Sequence, residues 1–325
     1  MQVFSSKIAN NSWLRYFAKV LVSASLIAYC LSLVSINDVA QILKQVDFKY
    51  LFLALIFTLI GTVICKSYMV WHVLCKVSTV KFSSILKINL VMRFYTIILP
   101  KAMVAVIRWN KYRKVSNPSY ALVLVSFDAI VALLVASLMT IIFICMDDAD
   151  LAPLWLVIAA VTVLIFLIIL LGVFFLPKQN RIVTSLLAKK HKYRIINKLF
   201  NLYDSWEASA KQLNLTSKST LLTVSVSSLL GHILFIFGAY FLLLSINIDF
   251  GLSSLGWIRS AVFVLVSIPI SMAGVGVREV GFIALFGLYG IPADVVISYA
   301  LLALLVQFAI GILGMVIEIN EIFKR

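Results

Sequence analysis

Acidic residues are scarce in this 325-residue chain, which has 13 Asp and Glu against 28 Lys and Arg and a net charge of +15. Charged residues of both signs make up only 13% of the chain, whereas soluble domains contain about 25%. This scarcity excludes an ordinary soluble domain. Hydrophobic residues make up 63% and the mean hydropathy is +1.08, values typical of a chain that lies in a bilayer.

Cysteine and histidine are also few, with four and three residues. The cysteines form no CxxC pair and lie mostly in or near apolar segments, so we expect buried thiols rather than disulfides. Cys65, His72 and Cys75 are close along the chain but lack the ligand spacing of a zinc site. No P-loop, GxSxG or GxGxxG motif occurs. The sequence therefore predicts no metal, no cofactor and no ATP-driven transport by this chain alone.

Long apolar runs are abundant, and several exceed the roughly 18 residues that a spanning helix needs. They occupy approximately residues 17–36, 50–71, 82–100, 120–145, 153–176, 219–246, 257–290 and 295–317. No small-residue cleavage site follows the first run, so we interpret it as a retained helix and not a signal peptide. The chain is predicted to be an all-α polytopic membrane protein with about eight hydrophobic segments, in one integral membrane domain.

The basic residues are concentrated in connections between the apolar runs. Residues 101–114 and 177–198 contain five and seven bases and no acid, whereas Asp147, Asp148 and Asp150 form an acidic loop. Loops rich in Lys and Arg stay cytoplasmic, so both basic connections are predicted inside and the acidic loop outside. The positive charge then favours anionic lipid headgroups as partners over nucleic acid.

Charge also predicts two segments that do not cross the membrane. Residues 82–107 have basic, cytoplasmic connections on both sides, so we expect a re-entrant hairpin that turns near Pro100. If the C-terminal tail is cytoplasmic, residues 257–290 form a second hairpin, entered from outside, and six full spans remain. The alternative is one ordinary span in each region, with the basic loops placed less consistently.

The two predicted hairpins have similar sequences. LPKAMVAVIR at 99–108 places Pro100 eight residues before Arg108, and IPISMAGVGVRE at 268–279 places Pro269 nine residues before Arg278. Paired interrupted segments that enter from opposite faces are typical of inverted-repeat transporters. Chance is the alternative explanation for so short a similarity.

The second of these stretches combines helix-interrupting residues with charge. Pro269 removes a backbone donor, and Gly274 and Gly276 permit a left-handed backbone. We therefore expect two half-helices, with Arg278 and Glu279 directly after the break. An isolated Arg or Glu at mid-bilayer costs about 2.5–3.5 kcal/mol. Neighbouring side chains on a helix point about 100° apart, so each is predicted to need a partner elsewhere.

Arg278 carries a planar fork of donors that suits a phosphate. Candidate partners of Glu279 are Arg108, Lys101 and Arg93. The alternative role for Arg278 and Glu279 is a buried ion network that only locks the two hairpins together.

Three further charges lie within apolar runs. Asp128 could pair with Arg93 or Arg108 or relay a proton, and alternatively it lies near the cytoplasmic interface. Lys66 is expected to extend to the interface. Arg259 is expected to be an anchor close to the outer interface.

Residues 178–215 are interpreted as a basic, amphipathic connector. Ile195, Leu199, Leu202 and Trp206 are spaced for one face of a helix. This pattern predicts a helix on the inner leaflet, with an ordinary cytoplasmic connector as the alternative.

The segment 267–302, SIPISMAGVGVREVGFIALFGLYGIPADVVISYALL, resembles the flippase-like transmembrane domain of lysylphosphatidylglycerol synthases. The matching residues are Pro269, Gly274, Gly276, Arg278, Glu279, Gly290 and Pro292. In the first half, Pro100, Arg108 and Asp128 match the family pattern. The glycine that usually follows the proline and the arginine that usually follows the acid are missing, and Lys101 stands after Pro100.

The resemblance implies a protein of the bacterial or archaeal cytoplasmic membrane that moves an anionic or phosphate-containing lipid between leaflets. Aminoacylated phospholipids and polyprenyl-phosphate-linked sugars are the implied substrates, with both chain termini expected in the cytoplasm. We expect Arg278 to hold the headgroup at the break. No segment corresponds to the aminoacyl-transferase domain of two-domain relatives, so synthesis of lysylphosphatidylglycerol is not expected.

Two other functional classes stay open. A membrane glycosyltransferase would need an acidic catalytic residue in a sizeable outer loop, and Asp147, Asp148 and Asp150 are the only cluster there. Such a cluster is more often a signal of topology. The second class is a non-transporting partner in a complex for cell-envelope biogenesis, and a homo-oligomer is also compatible with the sequence.

Overall fold

The structure is a computed structural model that describes residues 20–147, 161, 163–165, 167–168, 204–215, 217–268, 271 and 274–323. Within these ranges every regular element is helical. The principal helices are α1 (Val20–Ser32), α2 (Ile36–Lys44), α3 (Phe48–Leu74), α4 (Phe82–Ile98), α5 (Lys101–Tyr112), α6 (Pro118–Cys145), α7 (Lys218–Ser245), α8 (Leu252–Ser267), α9 (Val277–Gly287) and α10 (Ala293–Phe323).

Four of these helices, α3, α6, α7 and α10, are long and apolar enough to cross a membrane. Together α1 and α2 form a fifth candidate, which bends by 81°. These helices confirm the predicted all-α polytopic membrane fold. The predicted run 153–176 lies almost entirely outside the described residues, and the total number of spans stays a prediction.

Local sequence explains where several helices begin. Ser35, Asp47, Asn117 and Ser217 each accept a hydrogen bond from a backbone N–H in the first turn of α2, α3, α6 and α7, respectively. Side-chain oxygens at this position satisfy N–H groups that have no partner within the helix. Pro118 occupies the first position of α6, where its missing N–H costs nothing.

The chain reverses direction between α4 and α5, as predicted for the turn near Pro100. Leu99 is extended (φ −112°, ψ 149°) because the residue before a proline avoids the α conformation. Tyr112, at the end of α5, donates a 2.9 Å hydrogen bond to Oδ1 of Asn89 in the middle of α4. Therefore α5 runs back along α4. Insertion of this hairpin into the membrane from one side stays a prediction.

A second helical hairpin is formed by α8 and α9. Gly274 and Gly276 both have φ of 84°, in the left-handed region that favours glycine. A Cβ on Gly274 would lie 2.2 Å from Cγ1 of Val266, so the returning chain passes close to the end of α8. The predicted backbone role of both glycines is confirmed, whereas Pro269 lies outside the described residues.

The long helices α3 and α7 cross in antiparallel directions. A Cβ on Gly61 would lie 2.6 Å from the carbonyl oxygen of Gly231, and one on Gly231 would lie 2.8 Å from that of Gly61. At one end, the N–H of Asp47 donates to the carbonyl of Ser245 (2.8 Å). At the other, Lys76 donates to a threonine in the first turn of α7 (2.6 Å). The start of α3 thus meets the end of α7.

The remaining helices follow the same two-fold relation. Each half consists of a long helix, a hairpin and a long helix: α3, α4–α5 and α6 in the first half, and α7, α8–α9 and α10 in the second. The first helix of each hairpin packs mainly against the last helix of the other half, since α4 packs against α10 and α8 against α6. The antiparallel crossing of α3 and α7 makes the halves inverted, in agreement with the predicted inverted repeat.

The described end of the connector, residues 204–215, packs against the first half of the protein. Trp206 is buried, and its Nε1 donates to Oγ of Ser126 in α6 (2.7 Å). The hydroxyl of Tyr120 donates to Gln212 (2.8 Å). Residues 178–203, with the other predicted face residues, lie outside the described residues, so the inner-leaflet helix stays a prediction.

Candidate functional site

A partly open cavity of about 230 Å³ lies between helices of both halves. Its charged lining consists of Lys66 on α3, Arg93 on α4, Arg108 on α5 and Asp128 on α6. Three cations therefore line the cavity with a single carboxylate. We call these four residues the basic cavity cluster.

Asp128 is the centre of this cluster. Its Oδ2 accepts from Nζ of Lys66 at 2.7 Å and from Nη1 of Arg108 at 3.0 Å. The predicted pairing of Asp128 with Arg108 is confirmed, and the carboxylate is buried. The expectation that Lys66 extends to the interface is wrong, because its ammonium is turned inward onto Asp128.

Arg93 reaches the cluster from α4 and hydrogen-bonds to the backbone of α3. Its Nη2 donates to the carbonyl of Thr62 at 2.5 Å. Thr62 lies in Ile60–Ile64, where α3 widens into a π-helix. Such segments recur at functional sites because they change the backbone hydrogen-bond pattern of a helix. The same segment contains Gly61, so α3 crosses α7 at the turn that also accepts the hydrogen bond from Arg93.

The opposite wall of the cavity is built by α7 and α8. His232 and Phe235 on α7 and Phe263 on α8 line it. Nε2 of His232 is 2.9 Å from Oγ of Ser260, and the imidazole meets the Phe263 ring edge-on at 6.0 Å. Nothing in the sequence next to His232 indicates this neighbour on α8, so the contact could not be predicted.

Arg278 and Glu279 pair directly with each other. Nε and Nη2 of Arg278 donate to Oε1 of Glu279 at 2.8 and 2.5 Å. Oε2 accepts from the N–H of Gly276 at 2.7 Å and so caps the start of α9. The prediction that each of them needs a partner elsewhere is wrong. The 100° rule describes Cβ directions, and long side chains in the first turn of a helix can fold back over its end.

The predicted partners of Glu279 are located elsewhere. Arg93 and Arg108 belong to the basic cavity cluster. Lys101, in the first turn of α5, donates to the carbonyl of Val266 in the last turn of α8 (2.6 Å). It therefore links the tips of the two hairpins, beside Pro100, and does not bind Glu279.

Arg259 was expected only as an interfacial anchor, and its aromatic surroundings were not predicted from the sequence. It is 6% exposed, and its Cζ lies 4.3, 5.3 and 5.9 Å from the ring centroids of Phe235, Phe282 and Tyr299. The expectation of an interfacial anchor is wrong. An arginine within an apolar run is itself a signal of a functional or paired charge, and that signal could have identified Arg259.

Asp147, at the end of α6, is engaged by the second half. Its carboxylate accepts from Ser254 (2.8 Å), from Nε1 of Trp257 (2.9 Å) and from the hydroxyl of Tyr289. Asp147 therefore holds α6 to α8 and to the turn after α9. These contacts show that Asp147 links the two halves, while Asp148 and Asp150 lie outside the described residues, so the glycosyltransferase alternative stays untested.

A comparison with known protein families shows to which family the chain belongs. The family described as lysylphosphatidylglycerol synthase TM region matches residues 16–314. The chain belongs to this family. As a lysylphosphatidylglycerol synthase TM region, it is an integral membrane protein of lipid biogenesis, and both hairpins and the basic cavity cluster lie within the matched residues. No curated protein matches the chain.

Proposed function

We propose that this protein moves a lipid with an anionic, phosphate-containing headgroup between the leaflets of the cytoplasmic membrane, with both termini in the cytoplasm. The headgroup binds in the cavity lined by Lys66, Arg93 and Arg108. The excess of positive charge at this cavity is the observation that carries the proposal. Membership of the lysylphosphatidylglycerol synthase TM region family supports it.

The hydrogen bonds of the cluster leave cationic groups for a ligand. Asp128 already pairs with Lys66 and Arg108, whereas Arg93 binds a neutral carbonyl. Nε of Arg108 is buried and has no hydrogen-bond partner among the described residues. Guanidinium groups bind phosphate oxygens through two parallel N–H donors, so Arg93 and Arg108 are the residues we assign to the headgroup.

The size of the cavity fits a headgroup and not a whole lipid. Pockets that enclose an entire drug-sized ligand usually measure about 300–1,000 Å³, and this cavity measures about 230 Å³. The acyl chains would therefore remain in the bilayer while the headgroup enters the protein. Inverted repeats allow such a site to open to either side when one half rocks against the other.

The test is leaflet exchange in liposomes that contain the purified protein. Labelled phosphatidylglycerol and a labelled polyprenyl phosphate are the anionic probes, and phosphatidylcholine is the zwitterionic comparison. We expect Arg93→Gln to slow anionic exchange by about ten- to a hundredfold, because a charged hydrogen bond contributes roughly 1.5–3 kcal/mol. Arg113→Gln is the matched control, since Arg113 is exposed and does not line the cavity.

Two results would count against the proposal. If the native protein moves none of the lipids, a non-transporting role in envelope biogenesis becomes the better explanation. Equal loss of exchange in Arg93→Gln and Arg113→Gln would show that the cavity has no special role.

A further inference from the structure

Arg259 on α8 is a buried cation whose nearest partners are aromatic rings. Its guanidinium lies over Phe235, Phe282 and Tyr299. Its Nε is buried and has no hydrogen-bond partner among the described residues, and the same is true of the Tyr299 hydroxyl on α10. Ring faces compensate the positive charge but accept few hydrogen bonds. Buried donors without acceptors are rare in native proteins, so this pair of groups is suited to an anionic ligand.

The aromatic cage of Arg259 touches the basic cavity. Phe235 lines that cavity, and its ring centroid is 4.3 Å from Cζ of Arg259. His232, also in the cavity wall, contacts Ser260, which is adjacent to Arg259. A rotation of the Phe235 side chain would therefore connect the cavity with the guanidinium.

Arg278 lies on α9, one turn before Phe282, whose ring faces Arg259. It is close enough to interact electrostatically with both Arg259 and Tyr299. Its present partner, Glu279, is its neighbour in the chain. A phosphate oxygen could replace the Glu279 carboxylate as the acceptor for Arg278.

The inverted repeat gives an independent reason to connect the two places. Gly231 lies as many residues after Gly61 as Arg278 lies after Arg108. The same shift relates Asn89 to Arg259 and Tyr112 to Phe282.

The contacts agree with this correspondence. Tyr112 binds Asn89 in the first half, and Phe282 lies against Arg259 in the second. Arg259 and Phe282 in the second half therefore correspond to Asn89 and Tyr112 in the first half, which lie beside the basic cavity cluster.

We infer that Arg259, Tyr299 and Arg278 form a second binding position for a phosphate group, reached from the basic cavity past Phe235. This inference rests on the proposed function, because it gives the headgroup a second place to bind during transfer. The ligand is a negatively charged phosphate group, which binds through its oxygens. A lipid headgroup and free phosphate share this chemistry, so the experiment includes both.

The experiment uses Tyr299→Phe in the full-length protein, because it removes only the hydroxyl. We expect its ligand-free melting temperature to equal or exceed that of the native protein, since the lost group has no partner among the described residues. The increase in melting temperature caused by phosphatidylglycerol or polyprenyl phosphate should shrink. Anionic leaflet exchange should fall about tenfold, as expected for loss of a hydrogen bond to a charged group. Tyr120→Phe is the matched control, since that hydroxyl binds Gln212 outside both positions.

Arg259→Met is the second variant, because it keeps the length and apolar contacts of the side chain. We expect it to lose the lipid-induced stabilisation as well. Native stabilisation and native exchange in both Tyr299→Phe and Arg259→Met would overturn the second position, even when Arg93→Gln remains slow. A native protein that moves no lipid would instead reject the proposed function.

Inorganic phosphate and phosphatidylcholine complete the experiment. Stabilisation by phosphatidylglycerol, and not by phosphatidylcholine or by inorganic phosphate at the same concentration, supports a lipid headgroup at Arg259. Stabilisation by inorganic phosphate alone, abolished in Tyr299→Phe, would assign the position to free phosphate and overturn the route for lipid.

Discussion

Lys101 and Val266 join the tips of the two hairpins, because the lysine ammonium donates to the valine carbonyl at 2.6 Å. Carbonyls in the last turn of a helix lack partners within that helix, and the negative end of the helix favours a cation. The contact also connects the two inverted halves. Separation of the tips is therefore the movement that would most directly alter access to the space between the halves.

Cross-linking can show whether the tips must separate during transport. The variant carries Lys101→Cys and Val266→Cys, and serine replaces the exposed Cys75 and Cys145. A short bifunctional maleimide should then link the two introduced cysteines. We expect the linked protein to stop exchanging lipid, because the halves can no longer rock apart. The measurement is leaflet exchange before and after linking, with each single-cysteine variant as control. Native exchange by fully linked protein would show that the tips stay together throughout.

Asp128 should be essential for the stability of the basic cavity cluster. Replacement by Asn leaves three neighbouring cations without a carboxylate, and loss of one partner of a buried ion pair costs about 3–5 kcal/mol. We expect Asp128→Asn to lower the free energy of unfolding in detergent accordingly. Adding Lys66→Met to it should restore part of the loss, since one unpaired charge is removed. Asp249→Asn, at an exposed acid, is the control, and equal stability of the two single variants would contradict this account.

The close crossing of α3 and α7 predicts that Gly231 tolerates no side chain. The Cβ of an alanine would lie 2.8 Å from a backbone carbonyl oxygen of α3, and overpacking of this kind typically costs about 1–3 kcal/mol. Thermal unfolding of Gly231→Ala should show this loss. Gly287→Ala is the matched control, because no atom lies within 4 Å of its added Cβ. A Gly231→Ala protein as stable as Gly287→Ala would mean that the helices cross further apart.

Much of the backbone could be predicted from the sequence because local residues determine it. Pro100 ends α4 through its effect on Leu99, and Gly274 and Gly276 adopt the left-handed backbone that other residues avoid. Apolar length identifies α3, α6, α7 and α10 as candidate spanning helices, whereas the two hairpins also needed the proline and the charges of the connections. The pairing of Arg108 with Asp128 could also be proposed, since both are charges within the apolar part of the chain.

The direction of long side chains could not be predicted in the same way. Lys66 has a flexible stem that could reach the interface or Asp128, and only the position of α6 decides between them. Arg259 is surrounded by rings from α7, α9 and α10, and no local pattern brings those helices together. The pairing of Glu279 with Arg278 could not be predicted either, because it depends on the capping contact of Glu279 and on the backward fold of the Arg278 side chain.

The widened turn Ile60–Ile64 in α3 has a consequence for helix register. A π-helical turn holds about one residue more than an α-helical turn, so its removal would rotate everything after it by about 100° around the helix axis. Lys66 follows directly and would leave the cavity wall, while the carbonyl of Thr62 would return to the ordinary helical ladder. The place of Lys66 in the cavity therefore depends on a single extra residue in α3, whereas Arg93 and Arg108 on the other helices do not depend on it.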